Sequence, residues 1–234
     1  MKGLVAMRFE ELNWLDVEAY RKKDDRIMLV LGACEQHGYL SLLTDIKIPL
    51  ALADAASKKS GVLVAPPLNF GVSPYFITYP GTISLKVSTF LQVVEDIVLG
   101  LYAQGFKHML ILNGHGGNIP VTARLTELCN EHTDLKIGWY AWWTAESVTK
   151  VAAAHGLKSY HAAWIEAFSF VRVAELPRGE KLPAAAKPVQ SARESRAVFG
   201  DGVFGGPYQV EDKIMDEIFS AALDDILQLL KFEA

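Results

Sequence analysis

Thiols are scarce in this chain, and basic charge is not in excess. Two cysteines, Cys34 and Cys129, stand far apart among 234 residues with no CxxC pair. That spacing argues against a disulfide scaffold and a thiolate zinc cage, and Cys34 reads as a small buried apolar residue. Lys and Arg number 23 against 27 Asp and Glu, a formal net charge of −4. No basic stretch interleaved with aromatics occurs, so no nucleic-acid partner is expected. No apolar run approaches the ~20 residues that a membrane span requires. The segment Met1 to Trp14 alternates polar and apolar residues and lacks the apolar centre of a signal peptide. A cytoplasmic protein is therefore expected. No Gly-x-Ser-x-Gly elbow is present, which makes serine or cysteine nucleophile chemistry the poorer account.

Half of the residues are hydrophobic and 21% are charged, an ordinary globular composition. The length suits one sizeable α/β domain over residues 1–234. Apolar runs alternate with helical spacing. Arg26 to Ala33 reads as a buried strand, Pro49 to Lys59 as a helix body, and Val62 to Ala65 as a short strand stopped by Pro66-Pro67. Thr89 to Gln104 has helical spacing and stops at Gly105. Lys107 to Leu112 is the next strand. Asn118 is placed to cap a helix that has Pro120 in its first turn and runs to about His132. Ile137 to Trp143 is a further strand, and Asp212 to Phe232 an amphipathic closing helix. Such alternation predicts a largely parallel sheet covered by helices. Pro66 to Leu85 reads as a long loop bordering the site. Leu176 to Pro207, rich in Pro, Gly, Ala and charge, reads as a lid, an interface arm or a disordered segment.

Chemistry-bearing residues sit where such a sheet puts its site, beyond the carboxyl ends of strands. Glu35-Gln36-His37 follows the first strand, with Asp45 ten residues after Glu35. Asn113-Gly114-His115-Gly116-Gly117-Asn118 follows Met109 to Leu112. Two carboxylates and two imidazoles suit zinc, manganese or iron(II), and a carboxylate such as Asp45 can bridge two ions. A metal pair polarises a carbonyl and generates hydroxide near neutral pH, so the first reading is metal-assisted hydrolysis. Taken alone, Asp45 reads equally well as a helix N-cap. The glycine-rich turn could instead cradle phosphate, although a phosphate loop needs no histidine at its centre. His161 and Glu166 form a third cluster. If the segment after His161 is helical, Glu166 lies a little over one turn on, either as a last ligand or as a general acid or base. His132 and His155 read as ordinary helix-end residues, and His108 as a strand neighbour. Trp142 and Trp143 read as core, or as one wall of a substrate pocket.

These residues in chain order resemble the creatininase (creatinine amidohydrolase) family. The motifs are Glu35-Gln36-His37-Gly38 with Thr44-Asp45, Tyr79-Pro80-Gly81-Thr82-Ile83-Ser84, Asn113 to Asn118, His161-Ala162 with Glu166, and Gly202 to Pro207. The resemblance implies a three-layer α/β/α fold, two divalent metals (Zn, Mn or Fe), hydrolysis of an amide-like bond, and frequently a hexamer. It implies that Glu35, Asp45 and His115 hold one metal, and that His37 and Asp45 hold the second. Creatininase itself has a glutamate two residues past the histidine of the Asn-Gly-His motif. Here that position is Gly117, and Glu166 is the candidate to complete the second metal. His161 resembles the histidine that protonates the leaving group. The stretch from Tyr39 to Leu43, Phe76 and Trp164 depart from the family pattern on the expected substrate side. They argue against creatinine as substrate and leave metal hydrolysis intact. Tyr39, Phe76, Trp142, Trp143 and Trp164 are the candidate substrate contacts.

The reading is a dinuclear hydrolase of a small cyclic amide, formamide or related carbonyl compound, with a metal-bridging hydroxide and His161 as proton donor. Ring-opening of a cyclic diketone or sugar-like (inosose-type) substrate is the enzymatic rival, and a catalytically silent binding protein the rival from another class. Tyr75, Phe76, Tyr79, Phe199 and Phe204 look exposed in the two long loops, which predicts a homo-oligomer. Lids folded back on their own subunit are the alternative.

Overall fold

The computed structural model describes residues 6–233. Strands β1 (Arg26–Leu31), β2 (Leu63–Val64), β3 (His108–Asn113) and β4 (Lys136–Ala141) form a parallel sheet in the order β2-β1-β3-β4. Leu31 of β1 lies opposite Asn113 of β3, so the two strands end level and side by side. Both strands are apolar along almost their whole length because both faces of the sheet are covered.

Alternate strand residues face opposite layers. Met28, Val30, Leu110 and Leu112 pack toward α2 (Thr44–Ser60), α5 (Glu146–Ala154) and α7 (Asp212–Leu229). Ile27, Leu29, Leu31, Met109 and Ile111 pack toward α3 (Val87–Ala103) and α4 (Val121–Glu131), with Val17 and Tyr20 of α1 (Trp14–Arg21) beside them. The result is the expected three-layer sandwich around a parallel sheet. Among the described residues, no helix is long and apolar enough to cross a membrane.

Two segments differ from their sequence reading. Helix α2 begins at Thr44, so Asp45 lies in its first turn and Pro49 lies inside the helix. A residue at 49 with an N–H would donate to the Asp45 carbonyl one turn earlier, and proline cannot. That carbonyl instead abuts the strand ends: a Cβ would fall 2.4 Å from it at Gly32 and 1.9 Å from it at Gly114. Two glycines and a proline therefore seat the first turn of α2 directly on the ends of β1 and β3.

The second segment is Leu176 to Pro207. Here β5 (Glu180–Lys181) pairs antiparallel with β6 (Gly206–Pro207), and α6 (Ala192–Phe199) lies between them. Ser191 accepts from the Glu194 N–H while the Glu194 carboxylate accepts from the Ser191 N–H, a reciprocal cap that fixes the start of α6. Phe76, Tyr79 and Phe199 form a buried cluster with Tyr75 and Phe204 against it. The aromatics expected to meet a partner are thus largely covered by their own subunit.

Candidate metal centre

Glu35, His37, Asp45 and His115 converge beyond the ends of β1 and β3, all buried. Each histidine is oriented through one ring nitrogen by a backbone carbonyl, which can only accept. His37 Nδ1 lies 3.1 Å from the Glu35 carbonyl, which leaves Nε2 free. His115 Nε2 lies 2.9 Å from the Val72 carbonyl, which leaves Nδ1 free. The free nitrogens face one carboxylate: His37 Nε2 is 2.9 Å from Asp45 Oδ1, and His115 Nδ1 is 2.9 Å from Asp45 Oδ2. Glu35 Oε2 approaches His115 Nε2 at 3.5 Å.

Proximity here is not pairing. Both Glu35 oxygens, His37 Nε2 and Asp45 Oδ2 are buried without a hydrogen-bond partner. Such atoms are costly to leave unsatisfied, and lone pairs that converge without pairing are what a cation requires. Three donor sets have ligand atoms within 4.8 Å of one another: Glu35-Asp45-His115, His37-Asp45-Glu166 and Glu35-His37-His161. Oxygen and imidazole donors without thiolate fit zinc, manganese or iron(II).

Without a cation, protons supply the positive charge. Burial pushes the His37 imidazole down, but Asp45 and Glu166 outweigh it and hold its pKa well above the usual value. Burial likewise opposes protonation of His115, and Glu35 with Asp45 overrides it to about 9. Asp45 is raised by burial and pulled down further by the two imidazoles, ending well below the usual carboxylate range. His161 behaves oppositely: burial, then the neighbouring His37, keep it below its ordinary value.

The glycine-rich turn is held from within. Asn113 Nδ2 donates to the His115 carbonyl at 2.7 Å. Asn118 does not cap α4, as its position suggested. Its amide donates to the Gly32 carbonyl at 3.1 Å, and its Oδ1 accepts from the Val72 N–H at 3.2 Å. A Cβ at Gly117 would lie 1.9 Å from the Val72 carbonyl and 2.6 Å from His115 Nε2, so this turn has no room for a side chain there.

Glu166 reaches the cluster from elsewhere. The segment after His161 is not a helix; a short 3-10 turn, Trp164–Glu166, follows Ala162 at φ +58°. Glu166 Oε2 accepts from the Ala162 N–H at 2.6 Å, which supports that unusual backbone. Its other oxygen, Oε1, points to His37 Nε2 at 3.6 Å.

A cavity of about 790 Å³ opens above these groups. Glu35, Asp45, His115, His161 and Glu166 line it, together with Phe76, Trp143, Ile165 and Phe204. The His161 ring stacks on Phe76 with centroids 4.9 Å apart and planes 9° from parallel. Of the candidate substrate contacts, Phe76 and Trp143 line the cavity and three do not. Trp142 and Trp164 are buried in the core, where the Trp164 indole N–H donates to the Lys158 carbonyl. Tyr39 packs edge-on against Tyr208 at 5.8 Å, outside the cavity lining. Sequence reasoning missed Ser73, whose hydroxyl lies 3.3 Å from His115 Nε2, and the Val72 carbonyl. A backbone group leaves no residue-type signal.

A model of the creatininase family, described as creatinine amidohydrolase, matches residues 10–230. The chain is 33% identical over 115 residues to the creatinine amidohydrolase of Pseudomonas putida, covering 46% of this chain and 44% of that protein. It is 29% identical over 118 residues to the 3-dehydro-scyllo-inosose hydrolase of Thermotoga maritima, covering 50% of this chain and 38% of that protein. It thus spans less than half the length of these curated relatives. The fold matches a creatininase variant solved in a Zn–Zn form, with a TM-score of 0.82 at 20% identity over 97% of each chain. With the family match running nearly end to end, the chain belongs to the creatininase family.

Proposed function

We propose that this chain is a dinuclear metal-dependent hydrolase of an amide or related carbonyl compound. Glu35, Asp45 and His115 would hold one divalent ion, and His37, Asp45 and Glu166 the other, with Asp45 shared. The observation that carries this reading is the set of buried donor atoms without hydrogen-bond partners at the base of the cavity. Bound there, zinc, manganese or iron(II) would act as Lewis acids that polarise the carbonyl and make water nucleophilic near neutral pH.

The chain's own residues do the rest. The Glu35 and Val72 carbonyls keep His37 Nε2 and His115 Nδ1 free to ligate. Phe76, Trp143, Ile165 and Phe204 wall the cavity with apolar surface, which limits water and strengthens electrostatic contacts inside it. His161, held against Phe76 beside Glu35, would supply the proton that the leaving atom needs.

The cavity also bears on substrate class. Apolar walls and a volume of about 790 Å³ favour a cyclic amide or formamide that carries an aromatic or bulky apolar group. A polyhydroxylated, sugar-like ring would find fewer partners on these walls. The test is a panel of aryl and alkyl formamides, lactams and inosose-type rings, offered to the zinc- and manganese-loaded protein. Hydrolysis of the apolar amides ahead of the polyhydroxylated rings is expected. No turnover of any amide by either metal form would sink the hydrolase reading in favour of a silent binding protein.

A further inference from the structure

Gln36 lies between two of the candidate ligands, yet it ligates nothing. Its side chain is buried at 5% exposure, and each of its polar atoms has a partner. The Oε1 oxygen accepts from the Gly38 N–H at 3.0 Å. The Nε2 amide donates to the Gly202 carbonyl at 3.1 Å, and it stands 3.1 Å from Nε2 of His161. The two backbone groups settle which way the amide points: an N–H must face oxygen, and a carbonyl must face the NH2. The backbone also clamps the amide. A Cβ at Gly202 would sit 1.7 Å from Gln36 Oε1, so the amide occupies the space that a side chain there would need.

With its orientation fixed, the Gln36 amide can only donate to His161. We infer that Gln36 is a positioning residue that fixes the His161 ring with Nε2 as acceptor and the proton on Nδ1. The tautomer follows from contacts within this chain, and its catalytic meaning rests on the hydrolase reading above. Two consequences follow. An unprotonated Nε2 cannot donate to Glu35 Oε1, 3.6 Å away, so both Glu35 oxygens stay free as ligand atoms. The ring's proton sits on Nδ1, the nitrogen that Gln36 does not hold. The arrangement follows the general rule that the hydrogen bond at one imidazole nitrogen decides the state of the other.

Long-range 1H–15N correlation spectra of the metal-free full chain, at mildly alkaline pH, test this directly. The His161 signals are assigned by their loss in His161→Gln. The parent should show a pyridine-type Nε2 and a pyrrole-type Nδ1. Gln36→Glu keeps the shape but presents an acceptor, and should move the proton to Nε2. Gln36→Met keeps the bulk without polarity, and should give signals averaged between the two tautomers. A protonated Nε2 or averaged signals in the parent would overturn the inference, as would the parent pattern persisting in the variants. If Gln36→Glu fails to fold, the parent and Gln36→Met decide alone. Because the metal-free protein is read, the result does not depend on whether the loaded protein hydrolyses amides.

Discussion

Asp45 is the residue on which the site turns, because both free imidazole nitrogens face its carboxylate. Its neighbours are separable by mutation. Glu166→Gln should reduce bound metal, since it removes one oxygen donor from the His37-Asp45-Glu166 set. His161→Ala should keep the metal and lower turnover on the order of 10²-fold or more. Metal content and activity that match the parent in both variants would remove both residues from the site. The raised imidazole of His115 adds a pH prediction for the metal-free protein. A group raised from 6.5 to about 9 by folding contributes stability that is fully present below the lower value. That contribution is lost as pH rises through the upper one. The chelator-treated protein should therefore melt progressively lower between those values, whereas metal loading, which locks the imidazoles neutral, should flatten the trend. A melting temperature of the metal-free form that holds or rises over this span would contradict the assignment. At this scale the sequence was legible where residue type carries the chemistry, as at Glu35, His37 and His115. It was not legible where backbone does, as with the Val72 carbonyl that orients His115.

Helix α2 and the two central strands meet at a contact that only small residues permit. Gly114→Ala would drive a Cβ into the Asp45 carbonyl and should cost about 3 kcal/mol or more, with loss of metal affinity as the first turn shifts. Gly100 is the internal control. It lies within α3, and a Cβ there meets nothing within 4 Å. Gly100→Ala should therefore stabilise by about 0.5–1 kcal/mol through helix propensity. Thermal melts of the two variants check this, and equal effects would refute the close-packing account. The same contact hides the first turn of α2, because the sequence spacing shows only the helix body from Pro49 to Lys59. Inside a helix that begins at Thr44, the missing N–H of Pro49 frees the Asp45 carbonyl against two glycines. The segment from Leu176 reads as irregular in sequence although Ser191-Ala192-Arg193-Glu194 carries a capping box. Its signal was short, and only eight helical residues follow it. The strands β1 and β3 were legible because burial on both faces leaves a continuous apolar run.

At the scale of the whole molecule, the aromatics of the two long loops give little ground for self-association. Phe76, Tyr79 and Phe199 are buried by their own chain. Trp14, Leu182 and Val189 nonetheless remain exposed at 71%, 87% and 90%, and such apolar exposure still favours a homo-oligomer. Mass measurement in solution should find a multiple of 25.8 kDa, and a lone species at that mass would leave the long loops as lids on a monomer. The central claim concerns metals rather than assembly. Anomalous diffraction from crystals of protein loaded with zinc or manganese tests it most directly. The account predicts two peaks, one among Glu35, Asp45 and His115 and one among His37, Asp45 and Glu166, both within ~2.0–2.3 Å of their ligand atoms. No peak between these side chains, or a metal bound with Asp45 turned away from both histidines, would contradict it.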